Sequence, residues 1–257
     1  MDKKVRKIES LDLLLNCEKT LNLTHQGLIR NDIYIVKNVV SADWIVEVLN
    51  YLTEVGRNTL PNYYPIKQNS PNSYRINDED SRSYVKGKFQ QFTFYPWNQD
   101  VFNFFHILRE IYFAKNLLSN LRETKFLNIY PEEECIARLA FQHYPLGGGF
   151  LNKHTDPVDY HQVTVPILQM SNFGKDFLKG GLYVVTENGM EIYLDELTEP
   201  GDVIFFNPRC PHGVKPVDPE EQFSWLSFRG RWMLLFAVNS LVGNKTIPDS
   251  NDLEDSI

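Results

Sequence analysis

No apolar run approaches the roughly eighteen residues that a membrane-crossing helix needs, so no transmembrane helix is expected. The opening segment, MDKKVRKIESLDLLLNCEK, also lacks the uninterrupted apolar stretch of a secretory signal. Cysteine is scarce. Cys17, Cys135 and Cys210 are odd in number, far apart and form no C-x-x-C, which argues against a disulfide framework or a zinc ribbon and suits a reducing compartment. Positive charge is in deficit: 26 Lys and Arg stand against 33 Asp and Glu, a net charge of −7. Such a protein is poorly placed to neutralise phosphates, which disfavours nucleic acid or an anionic membrane as main partner. The expectation is a soluble cytoplasmic protein acting on a small molecule.

Aromatic side chains are abundant, with 17 Phe, 13 Tyr and 4 Trp among 257 residues. That mix suits a sheet-rich interior. The length favours one domain over two. Residues 1–130 read as helical and loop support with a lid, 135–240 as the β core, and 246–257 (TIPDSNDLEDSI) as a loose acidic tail. In the support region, Leu11, Leu14 and Leu15 have helical spacing, and 33–40 is rich in β-branched residues. Ser41 has the chemistry of an N-cap for a helix to about Val55, with Trp44, Val48, Tyr51 and Leu52 on one face. Residues 56–83, rich in Asn, Pro, Ser and Tyr, read as a long loop; 84–95 reads as a strand and 99–121 as a helix after Pro96.

From Cys135 onward, β-like runs recur at 135–144, 150–155, 161–169, 181–186, 190–194, 202–206, 212–217 and 230–239. Gly147-Gly148-Gly149, Gly180-Gly181 and Pro200-Gly201 punctuate them, and Asn188-Gly189 is a hairpin signal. Strands this short and this evenly spaced predict a jelly roll, a mainly β fold with flanking helices.

Within this segment His154-Thr155-Asp156 stands out. Side chains two apart on a strand share a face, so His154 and Asp156 can both point inward. His212 follows the apolar run 203–206 and can come beside them once the roll closes. Two imidazoles and one carboxylate on one face form a set that holds Fe(II) and leaves coordination positions free. His143 reads as a packed or surface histidine. His161, just past the pair, is a rival ligand or a substrate contact.

Arg231 sits in Gly230-Arg231-Trp232-Met233, the opening of an otherwise apolar strand. A charge there is costly unless it meets an anion, and its planar fork suits a carboxylate. Arg229 is its nearest competitor.

Taken in order, Tyr144-Pro-Leu-Gly-Gly-Gly, His154-Thr-Asp, Gly180-Gly-Leu, Pro200-Gly-Asp-Val-Ile-Phe-Phe, His212-Gly-Val-Lys-Pro-Val and Gly230-Arg-Trp resemble the Fe(II)/2-oxoglutarate-dependent dioxygenase superfamily, whose core is a double-stranded β-helix. The resemblance covers about residues 135–240. It implies His154, Asp156 and His212 as iron ligands and Arg231 as the anchor of the 2-oxoglutarate C5 carboxylate. Two departures accompany it: Gln222 stands where many relatives carry the basic residue, and Met233 where a serine often assists the arginine. Tyr144 is then the candidate to complete the carboxylate site, with Arg138 and Gln142 on the same face. The implied cofactors are Fe(II), 2-oxoglutarate and O2, with ascorbate in assays. The implied reaction is hydroxylation of a metabolite such as an amino acid. Asp156 argues against halogenation, which in the superfamily goes with loss of that carboxylate. Arg75 and Arg82 would suit a substrate carboxylate, in a lid that also carries Tyr63, Tyr64, Tyr74 and Tyr84. The alternatives are a cupin-type metal enzyme without 2-oxoglutarate and a non-catalytic jelly-roll binding module.

Overall fold

Side chains along the two longest strands alternate between two cores, and that alternation sets the architecture. The computed structural model describes residues 4–158, 162–244 and 248–254. Its elements are β1 (Val5–Ile8), α1 (Leu11–Asn16), α2 (Glu18–Ile29), β2 (Ile33–Val36), α3 (Ala42–Asn58), β3 (Ser73–Asp78), β4 (Gly87–Phe94), α4 (Phe104–Ile107), α5 (Arg109–Leu118), β5 (Cys135–Pro145), β6 (Gly149–Thr155), β7 (Ile167–Gln169), β8 (Gly181–Val185), β9 (Glu191–Tyr193), β10 (Val203–Phe205), β11 (His212–Val217), β12 (Gly230–Ser240) and β13 (Asn251–Asp252). Hydrogen-bonded neighbours follow the order β1-β2-β10-β7-β12-β5-β4-β6-β11-β8-β9, with β3 beside β4 and β13 beside β6. β4 turns the corner. Its later residues pair with β5 (Gln90↔His143) and its first with β6 (Gly87↔Leu151), so one sheet curls into facing halves in jelly-roll fashion.

On β12, Trp232, Leu234 and Phe236 point to a core shared with the helices, together with Leu139 and Phe141 of β5. Met233 points the other way, into a second core with Tyr144, Leu182 and Val214. α3 closes the first core with Ile45, Val48 and Leu52. Its first turn is capped by the Ser41 hydroxyl, which accepts from Trp44 N at 3.3 Å. Burying each such aliphatic side chain is worth about 1.5–3 kcal/mol, so packing rather than propensity holds the helix.

Five expectations need correction. The stretch 56–83 is not all loop, because β3 pairs with β4 from Ser73↔Thr93 to Asp78↔Lys88. The 99–121 helix is two pieces beginning at Phe104, since Asn103 adopts φ 53°, outside the right-handed helix. Strand 33–40 stops at Val36, with Asn38 at φ 52°, and the described part of the expected strand 161–169 is strand only at Ile167–Gln169. Lastly, the described part of the acidic tail is docked: β13 pairs with Thr155 and His154 of β6, and Asp252 accepts from Lys86 N at 2.8 Å.

Candidate metal centre and its cavity

β6 and β11 are antiparallel neighbours, and their register sets His154 directly opposite His212. The two rings lie 4.2 Å apart between centroids. Asp156, one residue past the end of β6, is held there by its backbone N–H, which donates to Pro208 O at 2.9 Å. Its two carboxylate oxygens face the histidines, at 3.7 Å from His154 Nε2 and 3.6 Å from His212 Nε2. Metal–ligand bonds of about 2.0–2.2 Å put neighbouring donors about 3–4 Å apart, so this set fits one ion. Among the described residues it is the one His/Cys/Asp/Glu group whose donor atoms lie within 4.8 Å of one another.

Each histidine has its other nitrogen committed. His154 Nδ1 lies 2.8 Å from Asn152 O and His212 Nδ1 2.9 Å from Cys210 O. A carbonyl can only accept, so Nδ1 carries the proton and the Nε2 lone pair faces inward, the tautomer a metal requires. Burial, reinforced by the neighbouring His212, pushes His154 down to about 4, which keeps it neutral near pH 7. Burial alone would raise Asp156, but His154, His212 and the Ser250 hydroxyl together hold it below the usual carboxylate range.

The triad opens into a cavity of about 780 Å³ whose wall includes Arg75, Gln91, Arg138, Gln142, Tyr144 and Met233. Up this wall runs a chain of hydrogen bonds. Tyr144 OH donates to Gln142 Oε1 at 2.8 Å, Gln142 Nε2 to Gln91 Oε1 at 3.1 Å, and Gln91 Nε2 to Thr93 Oγ1 at 3.0 Å.

Arg231 lies opposite Tyr144 in the β12–β5 register and is completely buried. The chain itself supplies part of its counter-charge: Nε donates to Asp195 Oδ2 at 2.7 Å. Both terminal nitrogens of the guanidinium have no hydrogen-bond partner. The same Asp195 oxygen takes the backbone N–H of Leu182, a cavity residue. It approaches so closely that a Cβ on Gly181 (φ +99°) would stand 2.3 Å from it, so the second glycine of Gly180-Gly181 makes room for this carboxylate. Arg229, by contrast, is exposed.

His143 is packed between Trp232 and Phe228 (ring centroids 4.6 and 5.6 Å), remote from any ligand role. Arg82 is already paired with Asp80 and lies over Tyr63 at 4.4 Å, leaving its charge spent at the rim. Tyr84 lies on the cavity wall but is mostly exposed. His161 falls outside the described residues. Asp195, Gln91 and Ser250 went unremarked in the sequence because nothing local sets them apart from surface polar residues.

No protein-family model matches the chain, and no curated protein is significantly similar to it. Solved structures share its fold. A Pseudomonas putida prolyl-4-hydroxylase superposes with a TM-score of 0.52 at 15% identity, over 84% of this chain and 97% of that one. A full-length Neurospora crassa protein in complex with alpha-KG gives 0.54 at 13% identity, over 91% and 84%. JOX2 in complex with 2OG, Fe and JA gives 0.51 at 14% identity, over 98% and 80%. Identities this low speak to the fold, which is that of these oxygenases.

Proposed function

We propose that the protein is an Fe(II)- and 2-oxoglutarate-dependent dioxygenase that hydroxylates a small molecule. The observation that carries the reading is a pairing of two features: three convergent donors on and just past β6 and on β11, and, behind the cavity residue Tyr144, a buried guanidinium with two free nitrogens. A site for metal alone has no use for the second: Asp195 offsets part of Arg231's desolvation cost through Nε, and the two terminal nitrogens are left to fit an anion with two oxygens. Two solved structures of this fold contain alpha-KG or 2OG, one of them with Fe.

In this reading His154, Asp156 and His212 hold Fe(II) on one face and leave the opposite face for cosubstrate and O2. With iron bound, the site would couple oxidative decarboxylation of 2-oxoglutarate to oxidation of a substrate C–H bond. Arg231 would take the C5 carboxylate through its terminal nitrogens while Asp195 fixes its orientation through Nε. Tyr144, directly opposite, would complete that carboxylate's shell by turning its hydroxyl proton from Gln142 to the incoming oxygen. The apolar residues around it, Leu182, Val214 and Met233, would exclude water from the reacting centre.

The test is succinate formation from 2-oxoglutarate with Fe(II) and ascorbate, next to anaerobic binding of 2-oxoglutarate to the iron-loaded protein. Iron binding without 2-oxoglutarate binding would support a cupin-type enzyme instead. Binding of neither would leave a jelly-roll binding module.

A further inference from the structure

Two more arginines face the cavity, and neither has an acid. Arg75 of β3 and Arg138 of β5 both line it, and the Nε of each is buried without a hydrogen-bond partner. Neither guanidinium forms an ion pair among the described residues, and Asp80, the acid whose charge reaches Arg75, is engaged by Arg82 in a forked pair. Burial pushes Arg75 below its ordinary value, and the neighbouring Arg138 pushes in the same direction. Tyr63 and Phe89 flank Arg75, with ring centroids 6.0 and 5.9 Å from its guanidinium carbon. Two like charges near one another on the wall of a half-apolar cavity oppose folding unless something anionic joins them.

The cosubstrate cannot be that anion while it is held at Arg231. Arg231 is opposite Tyr144 and Arg138 is opposite Ala237, six residues along the same strand pair. Six residues of strand span about 20 Å, whereas a five-carbon diacid is no longer than two residues of extended chain, about 7 Å. Along β4 the register runs from Gly87 beside Leu151 of β6 to Phe94 beside Leu139 of β5, so the His154 end and the Arg138 end of the cavity wall lie apart. The Arg231 guanidinium behind Tyr144 and the Arg75–Arg138 pair on the cavity wall are therefore two separate places for an anion.

We infer that Arg75 and Arg138 together bind the anionic group of the substrate, and that the substrate is a small monocarboxylic acid whose apolar part lies toward the metal. This rests on the oxygenase reading above for the metal's role, but not for the binding itself. The planar forks suit a carboxylate. The intervening wall offers Gln91, Thr93 and Tyr95 from β4 and its end as further polar contacts, and Leu151, Val165, Ile167 and Leu235 as apolar ones.

The test uses short- and medium-chain aliphatic and aryl-substituted monocarboxylates, each beside its primary amide, in equilibrium dialysis and thermal melting. Both the metal-free protein and the protein loaded with Fe(II) and 2-oxoglutarate are measured. Acids should bind and amides should not. Arg75→Gln and Arg138→Gln should each weaken acid binding roughly thirtyfold or more, with 2-oxoglutarate binding unchanged. Without ligand, both variants should melt no lower than wild type, because each removes a half-buried charge with no acid paired to it; a structural arginine would show the reverse. Amides binding as well as acids, no acid binding at all, or variants that keep the acid preference would overturn the inference. Failure to bind iron or 2-oxoglutarate with the acid preference intact would sink the oxygenase reading and leave this one standing.

Discussion

Ser250 donates a hydrogen bond to Asp156 Oδ1 at 2.5 Å, so the segment beyond the jelly roll reaches back to a candidate metal ligand 94 residues earlier in the chain. Around it, β13 pairs with β6, and Asp252 accepts from Asn152 Nδ2 at 3.2 Å as well as from Lys86 N. Groups that orient a ligand from behind typically account for about 10–100-fold in metal affinity or activity. Ser250→Ala should therefore weaken Fe(II) binding by about that factor in anaerobic titration while leaving the melting temperature of the metal-free protein nearly unchanged. Unaltered iron affinity would show that the contact is incidental.

Removing the donors themselves is a harsher change. His154→Ala, Asp156→Ala and His212→Ala should each abolish 2-oxoglutarate turnover, and circular dichroism should report an unchanged sheet. Two separate cores hold the fold without the ion. Near wild-type turnover in any one of the three would remove that residue from the ligand set.

Arg231 can be probed without disturbing Asp195. Arg231→Lys keeps a cation for that carboxylate but loses the fork, so 2-oxoglutarate binding should weaken while the fold survives. Arg231→Ala should cost about 2–5 kcal/mol of cosubstrate affinity and also destabilise the protein, because it strands Asp195 in the interior. Arg229→Ala, at an exposed position, should do neither. Anaerobic absorbance titrations of the three variants against wild type would separate these outcomes; damage from Arg229→Ala alone would move the anchor two residues upstream.

Acid should unfold this protein in part through His143. Burial pushes that imidazole down to about 3, against about 6.5 when unfolded, and its Nδ1 has no partner. The unfolded chain thus binds the extra proton first. The stability from a neutral His143 is complete above about pH 6.5 and falls as pH drops toward 3, by about 1.4 kcal/mol per unit. At pH 4.5 the loss is about 2–3 kcal/mol. His143→Phe preserves the stack with Trp232 and should flatten this slope in urea melts between pH 7 and 4.5; an unchanged slope would assign it to other groups.

What could be read in the sequence follows from which signals are local. The core strands were legible because alternation along 135–144 and 230–239 is a property of each segment alone, and the hairpin at Asn188-Gly189 appears where expected, with Gly189 at φ +81°. His154, Asp156 and His212 were legible because strand geometry puts the first two on one face. β3 was not, since Ser73-Tyr-Arg-Ile-Asn-Asp has turn-like composition and becomes strand only when β4 supplies its partners. The docking of 248–254 was hidden for the same reason, its acidic side chains reading as solvated until Lys86 and Asn152 are beside them. Asp195 looks like any acid after a hairpin; only the space left by Gly181 and the approach of Arg231 mark it as interior.

The return of β13 to β6 also makes the surroundings of the three donors depend on the last part of the described chain. His154, Asp156 and His212 all leave the ribosome before Ser250, and the sheet that brings them together is complete at β12. A chain that stops before residue 248 therefore carries its three donors while the side of β6 at His154 and Thr155 lacks the partner that β13 supplies. Any ribosome stall or proteolytic cut before residue 248 would yield a chain with its donors in place and an unpaired strand edge beside them, an edge that another chain can join.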